Sequence, residues 1–180
     1  MVELYRIMKK IIRYTLLFTI ILGIVYYVWP ENKLEPKQRI DKIVVNKHDR
    51  EMIVFNRNLE VARYSISLGS IKWPSEKWGP ILSHDGGPKQ KMGDTKTPEG
   101  IYILSPNTGK YQPALRINFE DIHPRSGGAI LIHGPSPINK WAGKFLRWID
   151  WTDGCIAVTE TEMKEIYNAV IKNCPIEINH

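Results

Sequence analysis

Apolar and polar positions divide the chain into one long apolar run, a short polar stretch and a series of strand-length segments. Tyr14 to Trp29 carries no charge over 16 residues, and counting back through Ile11 and Ile12 crosses only Arg13. A spanning helix needs about 20 mostly apolar residues, and a long basic side chain at its end can snorkel to the interface. The pattern predicts a single transmembrane helix over 14–29, with Tyr26, Tyr27 and Trp29 as its aromatic anchor. Residues 30–40 are polar, hold Pro30 and Pro36, and read as a linker.

From 41 to 180 the pattern is that of one folded domain. Lys42 to His48 and Met52 to Phe55 are β-branched or apolar runs, joined by a hairpin through His-Asp-Arg-Glu. Leu59 to Leu68 alternates, with Ala62, Tyr64, Ile66 and Leu68 against Val61, Arg63, Ser65 and Ser67. That is the period of a half-buried strand, ending at Gly69. Further short strands are expected at Ile101 to Leu104, Ala114 to Phe119, Ala129 to His133 and Ile176 to Ile178. The stretch from Ile71 to Lys91 is irregular, and a long irregular loop in a compact domain is often functional. One helix is well signed: Thr159 and Glu162 make a capping box, and Met163, Ile166, Tyr167, Val170 and Ile171 form an apolar face that stops before Pro175. Short strands with one capped helix make a mostly-β α+β domain.

Composition narrows this little: with 43% hydrophobic residues the chain is neither disordered nor wholly membrane-embedded. Charge adds more. Arg6, Lys9, Lys10 and Arg13 against Glu3 place +3 of the formal +6 in the first 13 residues. The positive-inside rule makes residues 1–13 a cytoplasmic tail and puts everything after Pro30 outside, in the periplasm or beyond the cytoplasmic membrane. No small-x-small cleavage site follows the apolar run, so an uncleaved anchor is expected rather than a signal peptide. No basic stripe interleaved with aromatics is present, and no nucleic-acid partner is expected.

Candidate chemistry gathers between Ile130 and Val158. A thiol with a pKa of about 8.5 needs an imidazolium or backbone dipoles beside it to ionise near neutrality. His133 ends the apolar run Ala129-Ile130-Leu131-Ile132, and Gly134 leaves its backbone free to approach a neighbour. Gly154 does the same for Cys155, and the amides of Gly154 and Cys155 are candidate oxyanion donors. Taken singly these are weak signals, since a strand-end histidine is more often structural and a cysteine before an apolar run more often core. A disulfide between Cys155 and Cys174 would occupy the thiol, so two free thiols are expected. A zinc hydrolase using His84, His123, His133 and Cys155 is a rival, although none of these residues has short ligand spacing.

The ordered set of motifs resembles a known family. Ile132-His133-Gly134, then Trp151-Thr152-Asp153-Gly154-Cys155-Ile156-Ala157-Val158-Thr159, is similar to the L,D-transpeptidase catalytic domain of the YkuD type. Upstream, Gly93-Asp94-Thr95-Lys96-Thr97-Pro98-Glu99-Gly100 resembles that family's Gly-Asp-x-x-Thr-Pro-x-Gly segment. The resemblance spans Ile40 to Ile178 and implies a sandwich-like β-rich fold acting on peptidoglycan stem peptides without a metal or cofactor. It implies Cys155 as nucleophile, His133 as general base and Gly134 as the residue orienting the histidine. Gly154 and Cys155 would then supply oxyanion donors, while Thr152 and Asp153 line the site. Asp94, Thr97, Trp141, Trp148 and Trp151 are candidate substrate contacts, with loop support as the plainer reading for the first two and loop packing for the tryptophans. Arg125 and Lys144 are candidates for the substrate carboxylate. Asp153 stands where many members have a second histidine, and Ala157 where they have Arg or Asn. The implied reaction is thioester formation and transfer to an amine on a second stem, an amino acid or an anchored protein. The alternatives are a hydrolytic member of the family and a non-catalytic wall-binding module.

Overall fold

The computed structural model describes residues 2–29, 33–69, 87–109, 112–119, 128–147 and 149–180. The chain divides into two compact units, Met1–Glu31 and Asn32–His180.

The first unit is helix α1, Val2–Val28. It is long and apolar enough to cross a membrane. Helix continues through Arg6, Lys9, Lys10 and Arg13, which the sequence assigns to a separate tail. Lys and Arg are good helix formers, and nothing before Pro30 breaks the ladder. The hydroxyls of Thr15 and Thr19 donate to Ile11 O at 2.9 Å and Leu16 O at 2.8 Å, so neither polar group needs water.

The second unit is built on strands β1 (Lys42–Asn46), β2 (Glu51–Asn56), β3 (Leu59–Ser65), β4 (Gly100–Pro106), β5 (Ala114–Ile117), β6 (Ile130–His133), β7 (Ile156–Ala157) and β8 (Pro175–Asn179). They form one eight-stranded sheet in the order β3-β2-β1-β8-β4-β5-β6-β7. The β1/β8 and β6/β7 pairs are parallel, and the other pairs are antiparallel. The expected mostly-β domain is present, and its sandwich character comes from one sheet curling on itself. Beyond β3 the chain reaches the far edge, where Ser67 and Ala157 exchange backbone hydrogen bonds of 2.9 and 2.8 Å. That closure brings the two outer strands together at the segment carrying Cys155.

Alternation on β3 is as read, since Ala62, Tyr64, Ile66 and Leu68 are all buried and face the core with Ile43, Val45 and Met52. Helix α2, Glu160–Ala169, covers this core with Met163 and Ile166 and carries both halves of the capping box. Thr159 Oγ1 accepts from Glu162 N at 3.3 Å, and Glu162 Oε2 accepts from Thr159 N at 3.0 Å. Thr159→Ala is expected to cost about 1 kcal/mol, seen as a lower Tm in thermal unfolding. The helix ends earlier than its apolar pattern suggests. Val170 is extended and bridges Ile40, Ile171 N donates to Ile40 O at 3.0 Å, and Ile171 is 40% exposed. β-Branched residues at a helix end favour such pairing over another helical turn.

Residues 33–40, expected as linker, lie against this unit. Lys33 N and Leu34 N both donate to Glu165 Oε1, the first at 2.7 Å, and Ile40 is fully buried. Of the irregular stretch between Ile71 and Lys91, residues 71–86 lie outside the described residues.

Candidate active site

Strands β6 and β7 run parallel, with Ile132 opposite Ile156 and His133 opposite Ala157. Continuing that register one step back sets Cys155 beside Leu131, on the same side of the sheet as His133. The thiol is half-buried, and its Sγ donates to Ala129 O at 3.7 Å. His133 is 7% exposed, and its Nδ1 lies 2.6 Å from Gly134 O. A carbonyl only accepts, so Nδ1 carries the proton and the Nε2 lone pair is the basic position. The Trp151 ring meets the imidazole edge-on, with centroids 5.6 Å apart at 83°.

Burial shifts both titratable groups toward their neutral forms. Burial lowers the pKa of His133 more than the Gly134 carbonyl raises it. Burial also raises the pKa of Cys155, and the Asp153 charge adds to this, whereas the Leu131 backbone and the Lys89 charge pull it down. Both shifts work against a standing thiolate–imidazolium pair. Asp153→Asn removes a charge that disfavours the thiolate, so it is expected to shift the pH profile of Cys155 alkylation by iodoacetamide to lower pH. An unmoved profile would mean that Asp153 does not act on the thiol.

Three segments distant in sequence converge behind the cysteine. Thr152 Oγ1 donates to Cys155 O at 2.7 Å and accepts from Gly154 N at 3.2 Å, closing the turn around the nucleophile candidate. The Gly154 amide, a candidate oxyanion donor in the sequence, is directed at Thr152. Gly154 has φ +109°, and a Cβ there would lie 2.5 Å from Lys96 O. At Gly69 a Cβ would lie 1.6 Å from Thr95 O. Both positions require glycine, and they pack the Cys155 turn and the end of β3 directly against the Gly93 to Gly100 segment.

That segment is held together by its own hydrogen bonds. Asp94 Oδ1 accepts from Lys89 Nζ at 2.8 Å and Lys96 N at 3.2 Å, and Oδ2 from Gln90 N at 2.7 Å and Lys91 N at 3.0 Å. Burial would raise its pKa, but Lys89 and the three amides outweigh it and hold the carboxyl well below the usual range. Thr97 is fully buried. Asp94 and Thr97 thus help to build the loop, the plainer of the two readings that the sequence offers for them. Trp151 packs on His133, Lys144 sits half-buried in the helical turn Gly143–Leu146, and Asp153 is exposed beside Cys155. Trp148, His84, His123 and Arg125, together with the Trp141 side chain, lie outside the described residues. Among the described residues no three of His, Cys, Asp and Glu gather as a metal site.

Two supporting groups were not identified from sequence. Lys47 is fully buried and donates to Gly87 O at 2.9 Å, Thr97 O at 3.1 Å and Glu99 Oε1 at 3.0 Å, pinning the same loop. Its signal was available, since Lys47 continues the inward positions Ile43 and Val45. Asp150 is 6% exposed and takes Arg50 Nε at 3.1 and 2.9 Å, Arg50 Nη2 at 2.7 Å and Leu68 N at 2.8 Å. A pairing across 100 residues leaves no local pattern.

The curled sheet, with His133 ending β6 and Cys155 just before β7 on the same side, defines a β-rich domain. The chain belongs to the L,D-transpeptidase catalytic domain family, YkuD, whose family model matches residues 40–178. Among solved structures it is similar to the helical cell shape determining protein Pgp2 from Campylobacter jejuni, with TM-score 0.53 and 20% identity, over 78% of this chain and 48% of that one. It is also similar to an L,D-transpeptidase from Mycobacterium smegmatis, with TM-score 0.47 and 14% identity, over 77% of this chain and 58% of that one. At 20% identity the likeness to the first is one of fold, and the chain spans about half the length of those structures. A search of curated proteins finds no match.

Proposed function

We propose that this protein is a membrane-anchored L,D-transpeptidase that acts on peptidoglycan stem peptides through a thioester on Cys155. The observation that carries this is the placement of Cys155 and His133 on one face of adjacent parallel strands, with the histidine tautomer fixed by Gly134 O. His133 Nε2 takes the Sγ proton as sulfur attacks the carbonyl of the third stem residue. The Cys155 amide is the oxyanion donor. His133 returns the proton to the leaving nitrogen, the C–N bond breaks, and D-alanine departs. An acceptor amine then attacks the thioester and gives its proton to His133, and the C–S bond breaks. Asp153, exposed beside the thiol, draws the ammonium form of an acceptor to the site, and that amine gives one proton to solvent before its neutral form attacks.

The α1 helix supplies the anchor in this reading, with its basic end in the cytoplasm and residues 33–180 outside, where peptidoglycan lies. The likeness to a cell-shape determining protein suits a role in wall remodelling. Purified full-length protein in detergent is to be incubated with sacculi and the products resolved by mass. New cross-links or amine-exchanged tetrapeptides support transfer. Released tripeptides without exchange show that water is the acceptor, and unchanged sacculi with no acyl-enzyme overturn the enzymatic reading.

A further inference from the structure

The segment 33–40 is bound at both ends to α2. At its start, Glu165 Oε1 takes the amides of Lys33 and Leu34, and the Leu34 side chain packs against the core. At its end, Ile40 N donates to Ala169 O at 2.9 Å. Between these points residues 34–38 arch beside α2 over an open groove. The segment is a strap on the domain.

Lys33 does more than begin this strap. Its Nζ donates to Arg63 O at 2.9 Å, lies 5.0 Å from the centroid of the Tyr64 ring, and sits 3.3 Å from Glu162 Oε1. Glu162 is fully buried, and its Oε2 is committed to the capping box. The other oxygen, Oε1, has no hydrogen bond and is held by charge alone, between Lys33 and Arg147 Nη1 at 3.7 Å. Arg147 ends the helical turn whose last carbonyl, Leu146 O, takes the Ser67 hydroxyl at 2.6 Å. From there the chain runs through Asp150 and Trp151 to Cys155. One buried carboxylate thus joins the strap, the start of α2 and the loop that carries the Trp151 ring to His133.

We propose that Lys33 is a positioning residue for the Cys155–His133 pair, acting by sharing the buried Glu162 carboxylate with Arg147 of the active-site loop. Without Lys33, Arg147 alone must neutralise Glu162, and closing 3.7 Å to a direct bond draws the loop toward α2. The strap that follows the apolar helix is then part of the catalytic unit. This inference rests on the proposed function for its turnover readout, but the alkylation readout does not depend on it.

The test uses the full-length protein in detergent, with Lys33→Met, Arg147→Met, the double variant and Lys33→Arg. Cys155 alkylation by iodoacetamide is followed across pH by peptide mapping, and tetrapeptide turnover is measured beside it. Lys33→Met is expected to change the alkylation profile and to lower kcat about tenfold with KM nearly unchanged, as a small misplacement does. Lys33→Arg is expected to restore both, and the double variant, which leaves the buried Glu162 carboxylate with neither cation, is expected to depart from the sum of the two single effects. A wild-type alkylation profile in Lys33→Met, or effects of Lys33→Met and Arg147→Met that simply add, overturns the proposal. If Lys33→Met does not fold, Lys33→Gln takes its place under the same criteria. Loss of turnover with every stem peptide in the wild-type protein, but a shifted alkylation profile in Lys33→Met, overturns the proposed function and leaves the positioning role standing.

Discussion

Cys155→Ala is expected to reduce turnover of a tetrapeptide muropeptide by roughly 10⁴-fold or more, the scale seen when a nucleophile is removed from an acyl-transfer site. No other described thiol can take over. Cys174 is fully buried, and burial, helped by the Asp41 charge, pushes its pKa up to about 12. His133 would remain, with its tautomer still held by Gly134, but with no sulfur for its Nε2 to activate. Intact mass after incubation with tetrapeptide is the direct readout. A stem-peptide adduct is expected on the wild-type protein and none on the variant. Because Cys155 is only half-buried and the hydrogen bond of its thiol to Ala129 O is long, Tm should change little. An adduct that survives in Cys155→Ala would place the nucleophile elsewhere.

The parts of this fold that show in the sequence are those set by local periodicity. Tyr64, Ile66 and Leu68 announce their buried face by alternation, and Thr159 with Glu162 announces a helix start, because both depend on neighbours within a few residues. The Cys155 and His133 signals are weak singly and gain weight from the ordered motifs upstream, Gly69 and the Gly93 to Gly100 segment. Gly69 and Gly154 show why: each lets one backbone segment touch another where a Cβ would collide. What the pattern could not show is what sits on the far side of such contacts. Ile171 fits the helical period, yet pairing with Ile40 ends the helix first. Asp94 stands in a family motif with polar neighbours, and only the fold shows that four donors already occupy its carboxylate. Lys33 looked like linker because its partners, Glu162 and Glu165, lie over a hundred residues away.

Asp150→Ala is expected to be the most destabilising single change at the site, costing about 3 kcal/mol, the lower end for breaking a buried ion pair. The lower end applies because the Arg50 side chain is 25% exposed and recovers some hydration. The rest of the loss comes from Leu68 N, whose buried donor has no other partner among the described residues once Asp150 Oδ1 is gone. For a domain of this size the Tm should fall by about 10 °C. Asp150→Asn keeps an acceptor for Leu68 N and should cost less, and Arg50→Ala combined with Asp150→Ala should cost less than the two single losses added. Activity should fall along with stability. Leu68 gives its amide to Asp150 and its carbonyl to Thr152 N at 3.1 Å, and Thr152 closes the turn on Cys155. Releasing Asp150 therefore loosens the Thr152 anchor, and Cys155 alkylation should become faster as the thiol gains access to solvent. A variant that loses the full 10 °C or so while Cys155 alkylates at the wild-type rate would separate the two effects. Asp150 would then hold the closure of the sheet without positioning the cysteine.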